Sequence, residues 1–200
     1  MPGSIKIDDG SGNYTILTNA GSLGSDKTLT IPNETGTLNL QSGSVLQAVS
    51  ATDTTAASYS LAATNVKAGS LEVAITPTST SSKVLLLATI AIGGNGRYGY
   101  LNFYRDSTQL GVSDVSSGSR SPIFQPINTG DFTDIQYQAL NNHISFLDSP
   151  SSTSAITYSI YIGNAHSGSE TWYYNRPLND TDAGYITRCR STITAIEIGG

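Results

Sequence analysis

The sequence predicts an all-β protein: a jelly-roll-like antiparallel β-sandwich preceded by a short-stranded, fibre-like N-terminal segment. Three observations predict it. No stretch of helical length carries an apolar stripe at helical spacing, whereas many short stretches alternate with period two. The composition suits strands and turns, since Ser and Thr make up roughly a quarter of the chain and Gly adds 20 of its 200 residues. The alternating stretches are separated by clusters of Gly, Asn, Asp, Ser and Pro, the residues that turns require.

Along the chain, residues 1–44 differ in texture from residues 45–200. The first region holds four segments of three to four residues: Ile5-Lys6-Ile7, Tyr14-Thr15-Ile16-Leu17, Thr28-Leu29-Thr30-Ile31 and Thr37-Leu38-Asn39-Leu40. Asp8-Asp9-Gly10-Ser11-Gly12-Asn13 and Pro32-Asn33-Glu34-Thr35-Gly36 read as the turns between them. A segment this short buries too little apolar surface to stand alone and needs partners, either copies of itself or the domain that follows. From Val45 the segments lengthen. Leu71, Val73 and Ile75 alternate with Glu72 and Ala74, a strand with one buried face. Val84 to Ile92 is apolar at both parities and reads as a central strand buried on both faces. Leu101 and Phe103, Ile144 and Phe146, Ile156 to Ile162, and Thr192 to Ile198 continue the period-two pattern. No repeat of fixed length is present.

Charge and cysteine content narrow the function classes. Charged residues are 12% of the chain and the net charge is −5. The ten Lys and Arg are scattered, which argues against a nucleic-acid partner, since that needs a basic patch. The single cysteine, Cys189, allows no disulfide within the chain. The start, Met1-Pro2-Gly3-Ser4-Ile5-Lys6, lacks the apolar core of a signal peptide. The longest apolar run, Val84 to Ile92, falls well short of the roughly 20 residues that span a bilayer. No membrane insertion and synthesis in a reducing cytoplasm are the expectations.

Several motifs invite a chemical reading. Gly94-Asn95-Gly96-Arg97-Tyr98-Gly99 matches the dinucleotide fingerprint, whose chemistry needs a helix N-terminus at the pyrophosphate. Tyr100 to Tyr104 alternates instead, so the glycines are expected to turn one strand into the next, with no cofactor. His143 and His166 lack a second ligand at metal spacing, and no nucleophile elbow is present. Cys189 lies between Arg188 and Arg190 and is expected to be a reduced strand residue. The acidic stretches Asp8 to Asn13 and Asp180-Thr181-Asp182 lack the spacing of a calcium loop and read as turns. Three glycosylation sequons, at Asn13, Asn33 and Asn179, carry no meaning without a secretory route. No catalytic, cofactor or metal residue is assigned, and the chain is expected not to be an enzyme.

The most suggestive cluster is Trp172-Tyr173-Tyr174-Asn175-Arg176, followed by Asp180 and Asp182. Aromatic rings stack on sugar faces while Asn, Arg and Asp bind hydroxyls, so these seven residues are candidate glycan contacts. The same residue types also build subunit interfaces, and strand alternation alone would bury Trp172 and Tyr174 with Tyr173 outside. Tyr98, Tyr100 and Tyr104 form a second group beside Arg97 and Arg105, suited to interface packing.

Two parts of the sequence carry a family resemblance. Lys27-Thr28-Leu29-Thr30-Ile31-Pro32-Asn33-Glu34-Thr35-Gly36-Thr37-Leu38 is similar to a pattern common in phage fibre proteins. Ile75 to Leu85, Tyr104-Arg105-Asp106-Ser107-Thr108, His143 to Pro150 and Ser191 to Ile198 resemble, in this order, the C-terminal β domain in fibres of phages infecting marine bacteria such as cyanobacteria. The resemblance implies a virion protein, a homotrimer and a place on the tail. It implies attachment to other virion proteins through residues 1–44 and multivalent contact of the sandwich with a host-surface glycan or protein. A purely structural subunit, in a baseplate, connector or head decoration, is the competing expectation.

Overall fold

The computed structural model of the chain describes residues 4–8, 14–18, 42–94, 96–112, 120–127 and 136–200. The chain divides into two compact units, Met1–Asn39 and Leu40–Gly200. In the first, β1 (Ser4–Asp8) and β2 (Tyr14–Thr18) pair antiparallel, from Ser4 opposite Thr18 to Asp8 opposite Tyr14. They contain the first two segments expected there. The expected strands at residues 28–31 and 37–40, and the turns at 9–13 and 32–36, lie outside the described residues.

The second unit is a sandwich of two antiparallel sheets. Its described strands, in chain order, are β3 (Val45–Asp53), β4 (Ala57–Leu61), β5 (Asn65–Ile75), β6 (Lys83–Gly93), β7 (Gly99–Arg105), β8 (Thr108–Leu110), β9 (Gln125–Pro126), β10 (Leu140–Asp148), β11 (Ile156–Asn164), β12 (Glu170–Tyr174) and β13 (Ser191–Ile198). One sheet is built on β6. Strand β10 lies along one edge of β6, and β13 and then β12 share the other; β3 pairs with β13 and β4 with β12. The second sheet runs β5-β11-β7-β8, with β9 also on β7.

Period-two alternation builds the core. On β13, Ile193 and Ala195 are buried while Thr192, Thr194 and Ile196 are half-buried. Leu86, Ile90 and Ile193 from the first sheet and Leu71, Leu101, Phe103, Ile160 and Ile162 from the second belong to one buried cluster. Each such side chain contributes about 1.5–3 kcal/mol on leaving water. Strand β6 departs from its sequence reading. It is central, with partners on both edges, but it is not buried on both faces. Val84, Leu86, Ala88 and Ile90 are enclosed, whereas Leu85 is half-buried and Leu87 is 43% exposed. Its second face is open at Leu87 and only half-covered at Leu85 and Thr89, and becomes buried at Ala91.

Buried polar groups tie the layers together. At one end, Arg105 Nη1 donates to both oxygens of Asp148, and the Tyr158 hydroxyl donates to Asp148 Oδ2 at 2.7 Å. Burial and then that hydrogen bond raise the Tyr158 pKa. Elsewhere Asp53, at the end of β3, accepts the Thr55 and Ser70 amides and the Ser70 hydroxyl, linking the first sheet to β5. Burial raises its pKa, but these hydrogen bonds outweigh burial and hold it below the ordinary value.

The glycine-rich stretch ends in strand β7, not a helix. Its glycines have a packing reason. A Cβ on Gly99 would lie 2.3–2.8 Å from ring carbons of Trp172, and one on Gly96 would meet the same ring at 2.5 Å. The Trp172 ring is fully buried under them. Backbone and aromatic ring touch directly, which only glycine allows.

Candidate functional site

The loop between β12 and β13, residues 175–190, is held at its base by Asn175. Asn175 sits at φ +59, in the left-handed region, and is fully buried. That conformation ends β12 and turns the side chain inward. Its Nδ2 donates to the carbonyls of Asp53 and Thr55, and its Oδ1 accepts the Ser191 hydroxyl at 2.6 Å. Its own amide donates to the Ala91 carbonyl, and its carbonyl accepts the Cys189 amide. Ser191 Oγ in turn accepts the Ala91 amide. Asn175 and Ser191 thus fill the gap where β12 gives way to β13 along the edge of β6. A buried network with every partner present fixes the loop's two ends rigidly.

The body of the loop is organised by Asp180. Arg188 donates to it from Nε at 3.1 Å and from Nη2 at 2.8 Å, a two-pronged pair. Arg176 approaches Asp180 at 3.7 Å, with its guanidinium 4.5 Å above the Tyr173 ring. The Arg188 hydrogen bonds hold the Asp180 carboxyl below its ordinary range. The Asn179 amide donates to the Gln136 carbonyl, which anchors a distant segment beside the loop. Through it Tyr137 meets Tyr185 edge to face, with ring centres 6.2 Å apart. Tyr185 is 73% exposed and Tyr137 37%. Asp180, Thr181, Asp182, Ala183, Ile186 and Arg188 line an open depression of about 470 Å³.

The seven residues singled out from sequence divide sharply. Trp172, Tyr174 and Asn175 are fully buried within the chain, so contact with a ligand or another subunit through them is corrected. Alternation along β12 points Trp172 and Tyr174 into the core, and the left-handed turn directs Asn175 there too. Tyr173 and Arg176 are half-buried and packed on each other. Asp180 is taken up by two arginines, whereas Asp182 is exposed. The exposed aromatics at this loop are Tyr185 and Tyr137, which sequence reasoning passed over. Tyr185 stands in an aperiodic loop between Gly184 and Ile186, a place where an aromatic side chain has no strand face to join. Nothing in the sequence joins it to Tyr137.

The second tyrosine group also separates. Tyr100 is buried, with its ring over Gly163, where a Cβ would lie 2.1 Å from it. Tyr104 packs on Tyr161 with ring centres 4.1 Å apart, and Tyr98 stacks on His166 at 4.8 Å. His143 shares a hydrogen bond with Thr89 across β10 and β6. Among the described residues no three His, Cys, Asp or Glu side chains gather where a metal could sit, and no helix is long and apolar enough to cross a membrane. Comparison of the chain with protein-family models and with curated proteins returned no match.

Proposed function

We propose that the chain is a virion subunit of tail-fibre type in a bacteriophage, and that its sandwich binds a host-surface glycan through the loop at residues 175–190. The carrying observation is that this loop carries both an exposed aromatic ring, Tyr185, and a depression lined by hydrogen-bonding groups of both kinds. Asp182 offers a carboxylate, Arg188 a guanidinium with donors left over from Asp180, and Thr181 a hydroxyl. A sugar needs these groups: a flat ring for its apolar face, and donors and acceptors for its hydroxyls. The Asn175 network holds the site rigid, which limits the ordering cost of binding.

The strand order supports a jelly-roll wiring. Taking β3, β5, β6, β7, β8, β10, β11 and β13 as strands one to eight, one sheet runs 1-8-3-6 and the other 2-7-4-5. This is the order of two Greek keys wrapped together, with β4 and β12 as an added pair. The antiparallel β1–β2 pair supports a fibre-like N-terminal segment, because a two-stranded ribbon is marginal alone and gains from assembly with other virion proteins. Several copies per particle, as in a homotrimeric fibre on the tail, would turn weak single sites into firm attachment through effective concentration.

The test is adsorption. Purified full-length protein should bind host cells and block phage adsorption. Tyr185→Ala together with Asp182→Ala should abolish both without changing the thermal melt. A correctly folded wild-type protein that neither binds nor blocks, or a double variant that blocks as well as wild type, overturns the glycan reading. Labelling on intact particles should put the protein on the tail; a label on the head overturns the fibre placement and favours a decoration subunit.

A further inference from the structure

We infer that the base of the 175–190 loop holds an anion subsite built on Arg190, and that the glycan bound there is an acidic saccharide, one bearing carboxylate or phosphate groups. The inference rests on the glycan reading above for its ligand and adds the charge class. Arg190 is exposed. The other described arginines are engaged. Arg105 pairs with Asp148, Arg176 and Arg188 pair with Asp180, and neither Arg97 nor Arg120 is free. Among the described residues, the Arg190 guanidinium has no ion pair or hydrogen bond.

Arg190 lines a dent of about 320 Å³ together with Thr89, Asn141, Cys189 and Thr192. That lining contains no carboxylate; Asp180 and Asp182 line the depression that holds Arg188. Thr89 and Thr192 stand opposite each other on β6 and β13, and Asn141 lies on β10 opposite Ala91. Two hydroxyls and an amide thus share the dent with one guanidinium. An unpaired guanidinium calls for an anion, which its planar fork grips with two parallel hydrogen bonds. The hydroxyls and the amide both donate and accept, as the hydroxyls of a sugar require. A simple anion would use only the guanidinium, whereas an acidic saccharide uses the whole set.

The backbone on both sides of Arg190 is fixed. The Cys189 amide donates to the Asn175 carbonyl at 2.9 Å, and the Ser191 hydroxyl donates to Asn175 Oδ1 while accepting the Ala91 amide. An arginine whose stem starts from a fixed backbone loses less freedom on binding than one on a free loop. Charge agrees. The chain carries a net charge of −5, so most of its surface repels an anionic partner. Residues 175–190 reverse that balance, with three arginines against two aspartates. Electrostatics therefore admit an acidic saccharide at this loop and disfavour it elsewhere, which fixes where it docks.

The experiment is titration calorimetry of the full-length chain against polysaccharide extracted from the host envelope. The polysaccharide is used untreated, with its carboxyl groups reduced to alcohols, and with its phosphates removed by hydrogen fluoride. Wild type should bind the untreated form, and at least one treatment should weaken binding about tenfold or more, which also tells carboxylate from phosphate. Arg190→Ala should bind the untreated form about as weakly as wild type binds the treated one, and should lose nothing further on treatment. Its thermal melt should stay that of wild type, since the side chain has no partner to lose. Arg190→Lys keeps the charge without the fork and should fall between the two. Wild type that binds all three forms equally overturns this inference alone, as does Arg190→Ala that binds the untreated form as tightly as wild type. Wild type that binds none of them overturns the glycan reading and this inference with it. Binding that Tyr185→Ala with Asp182→Ala leaves intact but Arg190→Ala weakens overturns the Tyr185 site and supports the Arg190 subsite.

Discussion

Replacing Glu197 by Gln isolates the contribution of one buried charge. Glu197 lies on β13 and is fully buried. Its Oε1 accepts the Thr78 amide and hydroxyl, both at 2.7 Å, and its Oε2 accepts Gln47 Nε2 at 2.6 Å. Burial by itself would raise its pKa; the donors from Gln47 and Thr78 outweigh burial and bring it from 4.5 down to about 2. At about 1.4 kcal/mol for each pH unit of that gap, the ionised carboxylate contributes about 3 kcal/mol to folding. Because the folded value is depressed, this stability is fully present above about pH 4.5 and is lost as the pH falls towards about 2. Glu197→Gln should therefore unfold in urea with about 2–3 kcal/mol less stability at pH 7. At about 2–4 °C per kcal/mol for a domain of this size, that is a fall in Tm of about 4–12 °C. The gap should close as both proteins are titrated towards pH 2, where the protonated acid and the amide are near isosteres. A difference that is the same at every pH would refute the electrostatic account and assign the loss to packing. A difference below about 1 kcal/mol at pH 7 would refute the magnitude.

Two further substitutions test the frame of the sandwich. Asn175→Ala removes three buried side-chain hydrogen bonds and leaves a Cβ residue at φ +59, and should cost about 3–5 kcal/mol in urea unfolding; Asn175→Gly loses the same bonds without the strain and should be milder by about 1 kcal/mol. Gly99→Ala drives a methyl group into the Trp172 ring and should cost about 2–3 kcal/mol with a shift in the emission of this single tryptophan, whereas Gly184→Ala, with nothing within 4 Å, should stay within about 0.5 kcal/mol of wild type.

Period two and turn chemistry were enough to read the all-β class and most of the long strands. Ile156 to Ile162 and Thr192 to Ile198 lie within β11 and β13; β13 alternates buried and half-buried residues throughout, so its two faces are written directly into the sequence. Alternation also told which of Trp172, Tyr173 and Tyr174 would turn inward, once β12 was known to be a strand with its inner face on the core. The glycine-rich stretch was legible as a strand connection from the residues after it, but not as a seat for Trp172, which lies more than 70 residues away in sequence.

What only the tertiary structure decided is which surfaces remain after the sheets close. A β-sheet brings together residues from strands far apart in sequence, so the neighbours of a side chain are set by register and strand order, which no local pattern encodes. Asn175 became a core residue because β12 and β13 divide one edge of β6, and Tyr137 came to stand beside Tyr185 where Gln136 reaches Asn179. The apolar parity of Leu85 and Leu87 was plain in the sequence. That this sandwich leaves it open followed only from counting the layers, since burial belongs to whatever packs on a face and not to the strand that presents it.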